Sequence, residues 1–129
     1  MILPNGLGLQ KLTAFLATTD GEKTKQFYEG ILGLRLVSED PFALVFDANG
    51  TTLRIQRVQT FTPHSFTALG WEVPDIATAV GALTDVSIQF EVFPGMGQDA
   101  LGIWTAPSGA RVAWFKDPEG NLLSLTQHE

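Results

Sequence analysis

At 129 residues the chain has the length of one ordinary domain, able to bury roughly two-thirds of its unfolded surface. Its 44% hydrophobic and 17% charged residues exclude a disordered chain, no apolar run reaches the roughly 20 residues of a membrane helix, and zero cysteines exclude disulfides and thiolate metal sites. Eight Lys and Arg against fourteen Asp and Glu give a net charge of −6, which repels nucleic-acid phosphates and favours neutral or cationic partners, and an N-terminus without a secretion pattern fits a cytoplasmic location.

Lys11 to Thr18 alternates, with Leu12, Ala14 and Leu16 on one side and Thr13, Phe15 and Ala17 on the other, which predicts a strand. Asp20 is a helix cap, and Phe27, Tyr28, Ile31 and Leu32 form an apolar stripe at helical spacing that Gly33 ends. Leu34 to Val37, Ala43 to Asp47 and Thr52 to Val58 read as three short strands, parted by the turn sequences Glu39-Asp40-Pro41 and Asp47-Ala48-Asn49-Gly50. The first module is therefore βαβββ over residues 9–58.

Residues 59–65 read as a linker, after which the order starts again over 66–127. Ala68 to Val73 alternates, Asp75 caps a helix carrying Ile76, Ala79, Val80 and Leu83, and strands are expected at Ser87 to Phe93, Val112 to Asp117 and Leu122 to Thr126. The halves align: Asp47, Gly50, Leu53 and Ile55 match Asp117, Gly120, Leu123 and Leu125 at identical spacing. The second half carries a Gly- and Pro-rich insertion at 95–109, of the kind that lies over a site, and its glycines do not have the strand-to-helix setting of a phosphate cradle.

Phe27-Tyr28-Glu29-Gly30-Ile31-Leu32-Gly33-Leu34 and Trp114-Phe115-Lys116-Asp117-Pro118-Glu119-Gly120-Asn121 resemble the hallmark segments of the glyoxalase, bleomycin-resistance and extradiol-dioxygenase superfamily, the vicinal oxygen chelate fold. The resemblance runs from Leu9 to Gln127. It implies an α+β fold, a single domain over 1–129 in which the two βαβββ modules form a curved mixed sheet, an open cup with helices on its outer face. A ligand inside the cup and a homodimer are also implied.

Metal-dependent members of that superfamily take up to four ligands, drawn from His, Glu and Gln, on the first and last strands of each module. Counting seven residues back from Asp20 and Asp75 reaches Thr13 and Ala68, and seven on from Asp47 and Asp117 reaches Arg54 and Ser124. Two hydroxyls, a methyl group and a guanidinium are not a divalent-cation set, so no metal and no cofactor are expected. Shifting the register by one residue would turn Leu12, Leu53, Leu69 and Leu123 into the cup, and these are the side chains needed against the helices. Other donors are Glu72, Gln56, Gln127, His64 and His128, the last two in the linker and at a terminus.

The residues expected to bind a ligand are Thr13, Phe15, Arg54, Gln56, Glu72, Trp104 and Ser124, with Ala68 and Gly70 making room. Trp104, on the insertion, is a candidate lid or wall. Arg54 either grips an anion bidentately or forms an ion pair with Glu72. Trp71 has the parity of the helix-packing face, Tyr28 sits on the helix stripe as a packing residue, and Trp114 is assignable to neither role. No catalytic residue can be named: there is no cysteine, and neither histidine has a Ser and carboxylate partner. The expectation is a metal-independent small-molecule binding protein. The alternatives are a metal-dependent lyase or dioxygenase of the same superfamily and a non-catalytic interaction module.

Overall fold

The computed structural model describes residues 6–129; residues 1–5, on which part of the N-terminal reading falls, lie outside them. The chain divides into two compact units, Met1–Phe61 and Thr62–Glu129, each with a mixed four-stranded sheet and helical segments.

In the first unit the strands are β1 (Thr13–Thr18), β2 (Arg35–Glu39), β3 (Ala43–Ala48) and β4 (Thr51–Arg57), in the spatial order β1-β4-β3-β2. β1 pairs parallel with β4, which requires a crossover, and the helical segment between β1 and β2 supplies it. That segment is a short helix α1 (Gly21–Lys25) that widens into a π-helix (Gln26–Ile31), closed by the Leu32 N–H donating to the Phe27 carbonyl. Sequence spacing predicts one regular helix here. The wider turn instead accompanies burial of two consecutive rings, Phe27 and the fully enclosed Tyr28, whose ring centroid lies 5.9 Å from that of Phe46. A buried hydroxyl pair, Thr18 Oγ1 and Thr24 Oγ1 at 2.8 Å, ties the end of β1 to α1.

Alternation decides which residues face the helix. Leu16, Leu44, Phe46, Leu53 and Ile55 are buried on one face, while register partners Phe15, Arg54 and Val45 lie in one row on the other. A one-residue slip of β4 would expose Leu53 and Ile55, at about 2 kcal/mol for each side chain, and would bury the Arg54 charge. Leu12 departs from the expectation: the strand begins one residue after it, and its side chain is 73% exposed. β3 and β4 join through Asn49 and Gly50, both at positive φ (52° and 93°), the backbone that a tight hairpin demands. The ladder between β2 and β3 slips between Leu36 and Ser38, leaving Val37 as a bulge.

The second unit contains β5 (Leu69–Glu72), α2 (Ile76–Asp85), β6 (Trp104–Thr105), β7 (Arg111–Lys116) and β8 (Leu122–Gln127), in the spatial order β5-β8-β7-β6. β5 runs parallel to β8, as β1 does to β4. Ile76 and Val80 of α2 and the sheet residues Ala113, Phe115, Leu123 and Leu125 are buried, and Trp71, on the same side of the sheet by parity, is half-buried. The strand expected at Ser87 to Phe93 is not formed. Ser87 turns at φ 72°, only Phe90 bridges to Phe115, and β6 takes the edge position beside β7. The tight turn between β7 and β8 is held by buried Asp117, whose carboxylate accepts the N–H groups of Glu119 and Asn121 and the Asn121 side-chain amide, each at 2.9 Å.

Asp117→Ala leaves three donors without this acceptor, and hydrogen bonds to a charged group are worth about 1.5–3 kcal/mol each, not additively. The expected loss is about 3 kcal/mol by urea unfolding; a loss under about 1 kcal/mol would refute the turn's role.

Asp75 has its carboxyl held below the usual aspartate range, chiefly by the Thr78 N–H at the start of α2, and Asp40 likewise by the N–H groups of Phe42 and Ala43. Both contributions to stability are complete above the unfolded aspartate pKa of about 4 and are lost as pH falls through the lower folded values. Asp75→Asn still caps α2 but does not titrate, so its urea midpoint should fall less than wild type's between pH 6 and pH 2.5; parallel profiles would contradict the assignment.

Candidate functional site

The sequence-predicted residues fall on two sheet faces, one in each unit. In the first, β1 and β4 set Thr13 beside Thr52, Phe15 beside Arg54 and Ala17 beside Gln56, and β3 extends these rows with Asp47, Val45 and Ala43. Thr13, Phe15, Arg54 and Gln56 are thus neighbours on the face turned away from Phe46 and Leu53. Phe15 is 56% exposed and Arg54 half-buried. Within this unit Arg54 has no carboxylate at ion-pairing distance among the described residues, whereas Arg35 pairs with Asp47 and Arg57 with Glu39. Asp40 is close enough for Arg54 to contribute to lowering its pKa, behind its own backbone hydrogen bonds. This face offers an aromatic surface beside a guanidinium, with hydroxyl and amide groups around them.

In the second unit the corresponding face is built on the row Gly70, Ser124 and Trp114, with Glu72, Thr126, Val112 and Trp104 in the next row but one along the strands. The two residues approach closely: a Cβ at position 70 would sit 2.5 Å from Ser124 Oγ, so a side chain there would displace that hydroxyl. Ser124 is only 7% exposed, and Glu72 is exposed at the end of β5. Trp104 is a strand residue of β6 and not part of a free lid; its ring lies 6.1 Å from that of Trp114, tilted by 36°. On another side Phe93 meets Trp114 edge-on at 5.5 Å and 83°. The Trp114 Nε1–H donates to Thr67 Oγ1 at 3.2 Å, which fixes the indole's rotation.

The aromatic group Phe93, Trp104 and Trp114 is what sequence reasoning assembled only in part. Trp104 was expected at a site, Trp114 had no assignable role, and Phe93 was placed in a strand. The available signal was parity: Trp114 lies two residues before Lys116 and shares the face of Ser124, its register partner. Two rings from outside β7, Phe93 and Trp104, set against the Trp114 indole, present apolar flat surface suited to stacking on a planar or apolar group.

A divalent cation does not fit the donor set. Of the four positions counted from the resemblance, the Arg54 and Ala68 side chains cannot donate a lone pair to a metal, and Thr13 and Ser124 offer neutral hydroxyls. Among the described residues no three His, Cys, Asp or Glu side chains cluster as a metal-binding group.

Comparison with known proteins gives a consistent result. The sequence model described as Glyoxalase/Bleomycin resistance protein/Dioxygenase superfamily matches residues 10–125. No curated protein matches in sequence. Among solved structures, a bleomycin resistance determinant encoded on the transposon Tn5 is 24% identical at a TM-score of 0.72, the match covering 93% of this chain and 98% of that one. The antibiotic-binding protein TnmS3 from a Streptomyces species is 24% identical at 0.71, covering 93% and 96%. A glyoxalase/bleomycin resistance protein/dioxygenase from Alicyclobacillus acidocaldarius is 16% identical at 0.70, covering 93% and 92%. At these identities the likeness establishes a shared fold.

The contact between Gly70 and Ser124 generates a testable coupling. Gly70→Ala should lower stability by about 1–3 kcal/mol through overpacking, and Ser124→Ala should recover most of that loss in the double variant. Additive single effects in urea unfolding would show that the two side chains do not compete for the same space.

Proposed function

Because this chain belongs to the Glyoxalase/Bleomycin resistance protein/Dioxygenase superfamily, we propose that it binds a small molecule without the help of a metal ion. The observation that carries this reading is the aromatic group of the second unit, in which Phe93 and Trp104 flank a Trp114 indole pinned by Thr67. Ligand pockets are mostly apolar with a few placed polar groups. Here Trp104 and Trp114 supply the surface, and Ser124 and Glu72 the polar groups. Thr13, Phe15, Arg54 and Gln56 form the ligand-contacting face of the first unit, with Arg54 as the group that selects an anionic substituent.

Two of the structural neighbours are, by name, an antibiotic-binding protein and a bleomycin resistance determinant, which supports a ligand of antibiotic type. The acidic balance of −6 suits a cationic one. In this reading the protein acts by sequestration: it holds the compound and performs no bond-breaking step, since the metal-ligand positions hold Thr13, Arg54, Ala68 and Ser124. The same reading places the protein in the cytoplasm, as a homodimer and with one domain per chain.

The test is a tryptophan-fluorescence titration with two probes, metal-free bleomycin and the planar heteroaromatic acridine, together with melting-temperature shifts against Mn, Fe, Co, Ni and Zn ions. The expected result is saturable quenching by at least one probe, weakened about tenfold or more by Trp114→Ala, a loss equal to about 1.4 kcal/mol. With acridine-9-carboxylate as a third probe, Arg54→Ala should weaken its binding more than that of uncharged acridine. A stoichiometric metal, or a melting shift with one of the ions and none with the probes, would overturn the reading.

A further inference from the structure

The segment between α2 and β7 is long and rich in glycine, yet two side chains, Gln98 and Asp99, lace it together. It is anchored at its start by the Glu91 N–H donating to the Trp114 carbonyl at 2.8 Å and by the bridge between Phe90 and Phe115. At its far end it becomes β6, where Trp104 pairs with Val112. Between these anchors, the Gln98 side-chain amide reaches both arms. Its Oε1 accepts the Phe93 N–H at 2.7 Å, and its Nε2 donates to the Glu91 carbonyl at 2.9 Å and the Gly102 carbonyl at 2.8 Å.

Asp99 closes the tip separately. Its Oδ1 accepts the N–H groups of Leu101 and Ile103, both at 2.9 Å, and its backbone N–H donates to the Ile103 carbonyl. Ile103 is buried, which seats the returning arm in the unit's core. The two residues therefore divide the work. Asp99 shapes the tip, and Gln98 sets the distance between the outgoing arm, which carries Phe93, and the returning arm, which carries Trp104 two residues after Gly102.

Only an amide does this. A primary amide offers two donors and two acceptor positions in one plane, and Gln98 uses both donors and one acceptor position on three backbone groups of two arms. A carboxylate in its place keeps the acceptor for Phe93 but sets oxygens against the Glu91 and Gly102 carbonyls. Alanine leaves all three groups to water.

We propose that Gln98 is a positioning residue of the binding site: by tying the Phe93 arm to the Trp104 arm it fixes the spacing of these two rings around Trp114, and with it the thickness of the group accepted. This deepens the small-molecule reading above and rests on it for the site, while the positional claim itself concerns the free protein. The insertion is then a wall of fixed width, not a mobile lid.

The experiment compares wild type with Gln98→Ala, Gln98→Glu and the tip control Asp99→Asn. Three quantities are read: near-ultraviolet circular dichroism, which senses the packing of the Trp104 and Trp114 rings; amide hydrogen exchange at Phe93 and Phe115; and the affinity for whichever of metal-free bleomycin and acridine quenches the wild type. In both Gln98 variants, exchange at Phe93 should accelerate about tenfold or more while Phe115 is unchanged, and the near-ultraviolet signal should diminish. Probe affinity should fall about three- to tenfold, the range of an aromatic pair's contribution. Asp99→Asn should keep the wild-type signal and affinity. Gln98→Glu, nearly the same size, keeps the test open if Gln98→Ala fails to fold.

Unchanged Phe93 exchange with an unchanged near-ultraviolet signal would overturn the proposal, as would the same losses in Asp99→Asn, which would make the effect one of general loop integrity. If the wild type binds neither probe, the site reading fails on its own, and exchange at Phe93 still decides whether Gln98 positions that arm.

Discussion

In each unit the organising constraint is a parallel pair: the first strand lies beside the last, β1 against β4 and β5 against β8. Parallel neighbours cannot be joined by a hairpin, so the chain must leave the sheet, run through a helical segment and return. That crossover supplies the apolar cover for one sheet face, and the pleat then hands every second residue of the last strand to the other. Leu53 and Ile55 are buried where Arg54 is not, and Leu123 and Leu125 lie beneath the helix side while Ser124 joins Trp114. The candidate faces exist because the opposite faces are committed to the core.

The same logic explains how much could be read from residues alone. Period-two alternation, the capping aspartates Asp20 and Asp75 and the repeated spacing of Asp47, Gly50, Leu53 and Ile55 are local signals, and they led to the correct sheet faces and helix starts in both units. The widened helical turn after Lys25 was not legible, because it accompanies the enclosure of Phe27 and Tyr28 against a sheet whose strands come later in the chain. Ser87 to Phe93 has strand-like composition but lacks a ladder: the N–H groups of Ser87 and Ile88 bond back to the end of α2, that of Phe93 to the Gln98 side chain, and that of Glu91 to Trp114 of β7. A strand signal says that a segment can pair. It does not say that an edge is free for it.

The site was legible in the same uneven way. The side toward which Thr13, Phe15, Arg54, Gln56 and Ser124 point followed from parity. The ring cluster at Trp114 did not, because it depends on Trp104 and Phe93 arriving from a loop that is held by side-chain hydrogen bonds and follows no periodic pattern. The insertion is rich in glycine, yet the polar residues among those glycines, Gln98 and Asp99, hold its backbone in place. In a loop of this composition the few long polar side chains carry more conformational information than the many small residues.

The bulge at Val37 has a consequence for the chain's behaviour among copies of itself. β2 is the outer strand of its sheet, and Val37 is 51% exposed there. A straight edge of this kind presents a regular row of unpaired amides and carbonyls, ready to template an incoming strand. One extra residue breaks the spacing of that row and increases the local twist, so a second strand that met Arg35 and Leu36 in register would be out of step by Ser38. The irregularity thus acts as a built-in guard against edge-to-edge polymerisation, at a strand whose own pairing with β3 continues on either side of it.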